Sequence, residues 1–134
     1  MQKNNLAFIA SVFIAIAILL GAWNAHGMED LVIHKSISEK YLKTFYTGVQ
    51  YQFFNSLGLL ILSFISDRHK FMKTGIWFIG TGMFIFSFSL YILSFHEIIG
   101  SGFRILGAIT PVGGLLMACG WILAAFSFLK KNNA

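Results

Sequence analysis

Residues 6–27 read LAFIASVFIAIAILLGAWNAHG, and this stretch decides the fold. From Leu6 to Trp23 the chain has eighteen consecutive residues with neither a charge nor a proline. An apolar helix of roughly this length is long enough to cross the hydrocarbon core of a bilayer. We therefore expect a first membrane span at about 6–25 that stops on two polar residues, Asn24 and His26.

Three more stretches have the same character, at about 47–66, 74–94 and 109–129. The whole chain of 134 residues is 57% hydrophobic and 11% charged, whereas soluble domains carry about 25% charged residues. Backbone amides in lipid must be paired within the spanning segment, which favours helices, and the alternation of a membrane strand is absent. The prediction is an all-α integral membrane protein, an antiparallel four-helix bundle that forms a single transmembrane domain over residues 1–134.

The segment that precedes the second span, SEKYLKTFY at 38–46, has its own pattern. Ser38 and Glu39 suit a helix start, and aromatic and basic residues follow at helical spacing. Such a helix is typical of the headgroup region and is expected to run on into the second span. A docking surface for a partner is the alternative interpretation.

The basic residues predict the orientation, because cytoplasmic loops are enriched in Lys and Arg. One side would hold six basic residues and one acid: Lys3, Arg68, Lys70, Lys73, Lys130 and Lys131 with Asp67. The other would hold four of each sign: Lys35, Lys40, Lys43 and Arg104 with Glu29, Asp30, Glu39 and Glu97. Both termini are therefore expected in the cytoplasm. The net charge of +5 fits anionic lipid, and no basic cluster suggests nucleic acid.

Small residues indicate where helices meet, since they let backbones approach closely in lipid. One set recurs on the first span and another on the fourth: Ala17, Gly21 and Ala25, then Gly113, Gly120, Ala124 and Ser127. Gly27 suits a left-handed helix cap. Thr110 and Pro111 suit the cap and first position of the fourth helix.

Polar residues of all four spans are predicted to meet near the outer face. They are Asn24, His26, Gln52, Asn55, Ser87, Ser89, Tyr91 and Thr110. Polar groups in hydrocarbon face the protein interior and one another. Two interpretations stay open: a structural layer of hydrogen bonds between helices, or an outward-facing pocket for a small polar or amphipathic ligand with His26 as its titratable member.

Catalytic and cofactor sites are not expected. The spans contain no carboxylate, Cys119 is the only cysteine, and no spacing indicates a metal or haem site. A proton-coupled exporter would need an acid within the membrane, and every Asp and Glu falls at or outside a span end.

Four stretches, GAWNAHG, YQFFNSLGLL, FSFSLYIL and LGAITPVGGLLMACGW, together resemble the family known as domain of unknown function 423. The resemblance implies a short four-helix protein of the bacterial inner membrane. Its motif residues here are Gly21, Ala25, His26, Gly27, Tyr51, Gln52, Ser89, Leu90, Tyr91, Gly107, Thr110, Pro111, Gly113, Gly114, Gly120 and Trp121. Two positions depart from the family pattern: Asn55 stands where a histidine is usual, and Phe88 where a glycine is usual. The first departure disfavours any site that needs two histidines.

The expected function is therefore non-enzymatic: a ligand-binding or accessory protein of the membrane. Besides the lipid bilayer, its partners would be a larger membrane complex or further copies of the same chain. A passive channel or facilitator for a neutral solute is the alternative.

The charge asymmetry generates a first prediction. A reporter enzyme fused after Ala134 should be active only when the reporter is of a type that works in the cytoplasm. Activity from a reporter that requires the external side would invert the predicted orientation.

Overall fold

The computed structural model describes residues 3–34, 37–65, 70–100 and 105–131, and within these ranges every regular element is a helix. The helices are α1 (Lys3–Trp23), a π-helical turn (Asn24–Met28), α2 (Glu29–Ile33), α3 (Glu39–Ser63), α4 (Lys70–Ser94), α5 (His96–Ile99) and α6 (Leu106–Lys131). The expected all-α class is confirmed.

Three of these helical segments are long and apolar enough to cross a membrane, within the part of the chain that is described. They are Asn4–Ile33, Lys70–Ser94 and Leu106–Leu129. The predicted second span, now part of α3, is not among them, because Gln50, Gln52 and Asn55 lower its hydropathy. Gln52 bonds α1 and α4 and Asn55 bonds Trp121 of α6, whereas Gln50 is exposed. Pairing with neighbouring helices therefore accommodates two of these three polar groups.

The four long helices pack in the order α1, α3, α4, α6, each on the next. Gly48 meets Tyr91 while Gly80 meets Leu59, so α3 and α4 run in opposite directions. No Cα atom of α1 lies within 8 Å of a Cα atom of α4 or α6 in the described ranges. The helices are therefore arranged as a folded row in which α1 and α4 flank α3.

The closest backbone approach joins α4 to α6. A Cβ atom added at Gly82 would lie 2.7 Å from the carbonyl oxygen of Gly113, and one at Gly120 would lie 2.8 Å from the carbonyl oxygen of Gly75. Such distances leave no room for a side chain at these four positions. Close packing of this kind holds helices together in lipid, because the hydrophobic effect does not drive helices to associate there.

The first helix does not end at His26. Instead, residues Asn24–Met28 form a π-helical turn, and the helix continues through α2 to Ile33. Gly27 is not a left-handed cap, since Gly100 alone among the described glycines has a positive φ. Its role is spatial: a Cβ atom at Gly27 would lie 2.6 Å from Nε1 of Trp23, so the indole ring covers the glycine backbone.

One predicted helix start also needs correction. Helix α6 begins at Leu106, and Pro111 lies inside it rather than at its first position. The hydroxyl of Thr110 donates to the carbonyl of Leu106 instead of capping the helix. The amphipathic segment does run on into the second span as expected, because α3 extends from Glu39 to Ser63 without a break.

Part of the charge pattern falls outside the described residues. This applies to Lys35, Asp67, Arg68 and Arg104, and to the side chains of Lys3, Lys130 and Lys131.

The contact between α4 and α6 generates a second prediction. Gly82→Ala should destabilise the protein in detergent, because overpacking against backbone costs about 1–3 kcal/mol and exceeds the gain of up to about 1 kcal/mol from replacing a helical glycine. Gly80→Ala is the matched control on the same helix, with its nearest contact at 3.9 Å. Thermal unfolding of the two variants measures the difference, and equal midpoints would contradict the close approach.

Candidate functional site

A lateral groove lies between α1 and α4, with α3 as its floor. Two adjoining cavities of about 360 and 350 Å³ form it, and both are lined by Phe13, Met83 and Phe84. The groove extends along α1 from Leu6 to Leu20, which is about 21 Å at a rise of 1.5 Å per residue. Each cavity is in the size range of small-molecule sites, roughly 300–1,000 Å³.

Gln52 lies in the floor of the groove and joins three helices. Its Nε2 donates to the backbone carbonyl of Phe13 on α1 at 2.9 Å, and its Oε1 accepts from the hydroxyl of Tyr91 on α4 at 2.8 Å. The side chain is 4% exposed. Because a buried amide is costly unless paired, this residue sets the position of α1 and α4 against α3.

Asn55 lies just under one turn further along α3, about 60° around the helix axis from Gln52, and its side chain reaches α6. Its Oδ1 accepts from the indole Nε1 of Trp121 at 2.9 Å, and its Nδ2 donates to the carbonyl of Tyr51. The Trp121 ring covers Gly58, where a Cβ atom would lie 2.5 Å from the ring. This one side chain links α3 to α6, although their backbones are not in contact.

The remaining polar residues divide into paired and unpaired groups. The hydroxyls of Ser89 and Thr110 lie 2.8 Å apart and link α4 to α6. The hydroxyl of Ser87 and the Oδ1 atom of Asn24 are buried and have no hydrogen-bond partner among the described residues. Ser87 lines the groove beside Gln52 and Tyr91.

His26 does not join these residues. Its side chain is exposed and has no hydrogen bond to any described residue. The π-helical turn explains the difference, because it buries Asn24 and Met28 and leaves Ala25 and His26 facing outward. The predicted polar layer is therefore three separate contacts, centred on Gln52, on Asn55 and on Ser89.

The predicted packing residues have distinct positions. Gly113 and Gly120 lie against the backbone of α4. A Cβ atom added at Gly21 would lie 3.4 Å from the Val49 side chain of α3, and one added at Gly114 would lie 3.7 Å from the Phe86 ring. Ala25 is exposed and takes no part in helix packing.

A small polar cluster ties α5 to the start of α3. The Ser38 hydroxyl and amide donate to the Glu97 carboxylate at 2.8 and 2.7 Å, and the Tyr41 hydroxyl lies 3.2 Å from Nε2 of His96. The Ser38 side-chain bond, followed by the bond from its amide, lowers the pKa of Glu97. The bonds therefore favour the folded state above the ordinary pKa of glutamate, and this contribution is lost as the pH falls through the lowered pKa.

Several of these contacts were not expected from the sequence. Trp121 was singled out only as a motif residue, and its hydrogen bond to Asn55 was not predicted. The hydrogen bond from the Ser56 hydroxyl to the Met83 sulfur, at 3.2 Å, was not predicted either. Ser38 was expected as a helix cap, but its hydroxyl bonds Glu97 instead. Within the described ranges no three His, Cys, Asp or Glu residues are close enough to hold a metal ion.

The hydrogen bond between Gln52 and Tyr91 generates a third prediction. In a double-mutant cycle of Gln52→Leu and Tyr91→Phe, the coupling free energy should be about 0.6 kcal/mol and at most about 1.7 kcal/mol, as for other bonds between membrane helices. The same cycle with Tyr46→Phe, an exposed tyrosine, serves as the control and should give none. Chemical unfolding in detergent measures each variant, and zero coupling for the first cycle would contradict the contact.

Comparison with known proteins identifies the family of the chain. Residues 20–114 match the family described as Protein of unknown function (DUF423). A stretch of 53 residues, 40% of this chain and 39% of the relative, is 42% identical to UPF0382 membrane protein YwdK of Bacillus subtilis (strain 168). The chain thus matches well under two thirds of that relative's length. No solved structure matches. Since the family match covers most of the chain, and the helices fit a bilayer, the protein is a membrane protein that belongs to the DUF423 family.

Proposed function

We propose that this protein is a non-enzymatic membrane protein that binds a long-chain ligand from the bilayer in the groove between α1 and α4. The observation that carries the proposal is the groove itself, which is elongated and opens between two helices. Its walls are formed mainly by aliphatic and aromatic side chains, among them Ile9, Phe13 and Phe84. These surfaces suit a hydrocarbon chain, which gains contacts with them that it lacks among other lipids.

The length of the groove supports a chain-like ligand. About 21 Å of α1 borders it, which exceeds the thickness of one leaflet's hydrocarbon, about 15 Å. None of the described residues that line the two cavities is charged. A neutral ligand therefore fits better than an ionic one, because a charge in this setting would lack a partner.

The proposal includes a position in the membrane. The helix α3 lies between α1 and α4 along its length, so it would cross the bilayer with them and complete a four-span antiparallel bundle. We propose the bacterial inner membrane, with both termini in the cytoplasm, from the basic residues of the chain.

A channel for a neutral solute is less well supported by these contacts. The amide of Gln52 and the Tyr91 hydroxyl are engaged with each other, and the part of the groove near Leu6 is apolar. Ligand binding is compatible with an accessory role on a larger membrane complex. It is equally compatible with a homo-oligomer, and both stay predictions.

A groove-filling variant tests the proposal. A photoreactive fatty acid methyl ester, which is neutral and carries a diazirine on its chain, should label Phe13, Met83 or Phe84 saturably in nanodiscs. Gly80→Leu should reduce this saturable labelling at least about fivefold, roughly 1 kcal/mol. The glycine lines the groove, and its Cβ position is 3.9 Å from Leu59, so the variant can fill the space without a backbone clash.

The matched control is Gly107→Leu, at a helical glycine that does not line the groove. Its labelling should equal that of the wild type. Labelling that is unsaturable, spread over the outer face of α6, or unchanged in Gly80→Leu would contradict ligand binding in the groove.

A further inference from the structure

One end of the groove carries polar side chains, and Ser87 differs from the others because its hydroxyl is unpaired among the described residues. Ser87 is 2% exposed, its hydroxyl has no hydrogen-bond partner in the part of the chain that the structure describes, and it lines the cavity together with Gln52 and Tyr91. Seven residues separate it from Ser94 at the end of α4, which places it about 10 Å along the helix from that end. It therefore lies within the depth of the hydrocarbon core rather than at the surface.

Three other buried serines donate their hydroxyl protons to backbone carbonyls of their own helix. Ser94 donates to the carbonyl of Leu90, Ser89 to that of Phe86, and Ser127 to that of Ala124. Serine in a helix commonly makes this local bond. An unpaired buried hydroxyl is costly by comparison, and native proteins contain few of them.

The neighbouring polar groups are largely engaged. One N–H of the Gln52 amide donates to the Phe13 carbonyl and its Oε1 accepts from Tyr91, so the Tyr91 proton is used as well. The Ser87 hydroxyl is the side-chain donor at this end of the groove that has no partner among the described residues, and rotation about its Cα–Cβ bond turns it toward a ligand. Its complement is an oxygen that accepts a hydrogen bond, as in a ketone or an ester.

We propose that Ser87 anchors the ligand of the groove by donating a hydrogen bond to a carbonyl or ester oxygen of a neutral long-chain molecule. This inference rests on the proposed function, because the tail of that molecule would lie between Phe13 and Phe84. The bond fixes the depth of the polar group and selects such molecules over plain hydrocarbons, which have no acceptor.

Competition against the photoreactive methyl ester tests the anchor. The competitors are a long-chain methyl ketone and the alkane of the same length. With the wild type, the ketone should compete about threefold to tenfold better than the alkane, the effect of one net hydrogen bond. Ser87→Ala should abolish this preference while the alkane still competes. Ser87→Thr, which keeps the hydroxyl, should retain it.

The control is Ser94→Ala, which removes a buried hydroxyl already paired within α4 and should leave the preference intact. If Ser87→Ala does not fold, Ser87→Cys replaces it, and its weaker donor should reduce the preference. Equal competition by ketone and alkane in the wild type would overturn the anchor but leave groove binding standing. Failure of both compounds to compete would overturn the proposed function itself.

Discussion

The structure depends most on the primary amide of Gln52. An amide between apolar helices is costly unless it is hydrogen-bonded. Here one of its two N–H groups donates to the backbone of α1 at Phe13, and its oxygen accepts from Tyr91 of α4. Because the two ends engage different helices, one side chain attaches α1 and α4 to α3. Since α1 and α4 make no close backbone contact with each other, a groove remains between them.

The same constraint explains why α3 is more polar than its neighbours. Its polar side chains have partners on both flanks, with Gln52 on the groove side and Asn55 on the side of Trp121. The apolar helices α1, α4 and α6 then present large hydrophobic residues outward, such as Phe8, Trp77 and Phe126. A polar central helix with apolar neighbours leaves a lateral opening whose walls match lipid chains, and this arrangement leads to the proposed ligand.

The sequence predicted the helical class because apolar runs of span length have few other outcomes in a membrane. Depth along each helix also placed Gln52 and Tyr91 at one level. The depth of a residue along its helix could not predict which way its side chain faces. His26 was expected to face the protein interior, but the π-helical turn leaves it exposed. Nor could depth reveal that Pro111 lies within α6, because Thr-Pro suits a helix start equally well. The separation of α1 from α4 depends on side-chain packing, for which no periodicity gives a signal.

Disulfide formation between introduced cysteine pairs in membranes tests the helix arrangement most directly, in a Cys119→Ser background. The pair at Gly21 and Val49 joins α1 to α3, where the glycine Cβ position lies 3.4 Å from the valine side chain. The pair at Phe13 and Phe84 spans the groove, and no Cα atoms of α1 and α4 lie within 8 Å, beyond the roughly 7 Å that a disulfide can bridge. The first pair should oxidise readily and the second should stay reduced. Efficient cross-linking of Phe13→Cys with Phe84→Cys would mean that α1 closes onto α4 and that the groove does not exist.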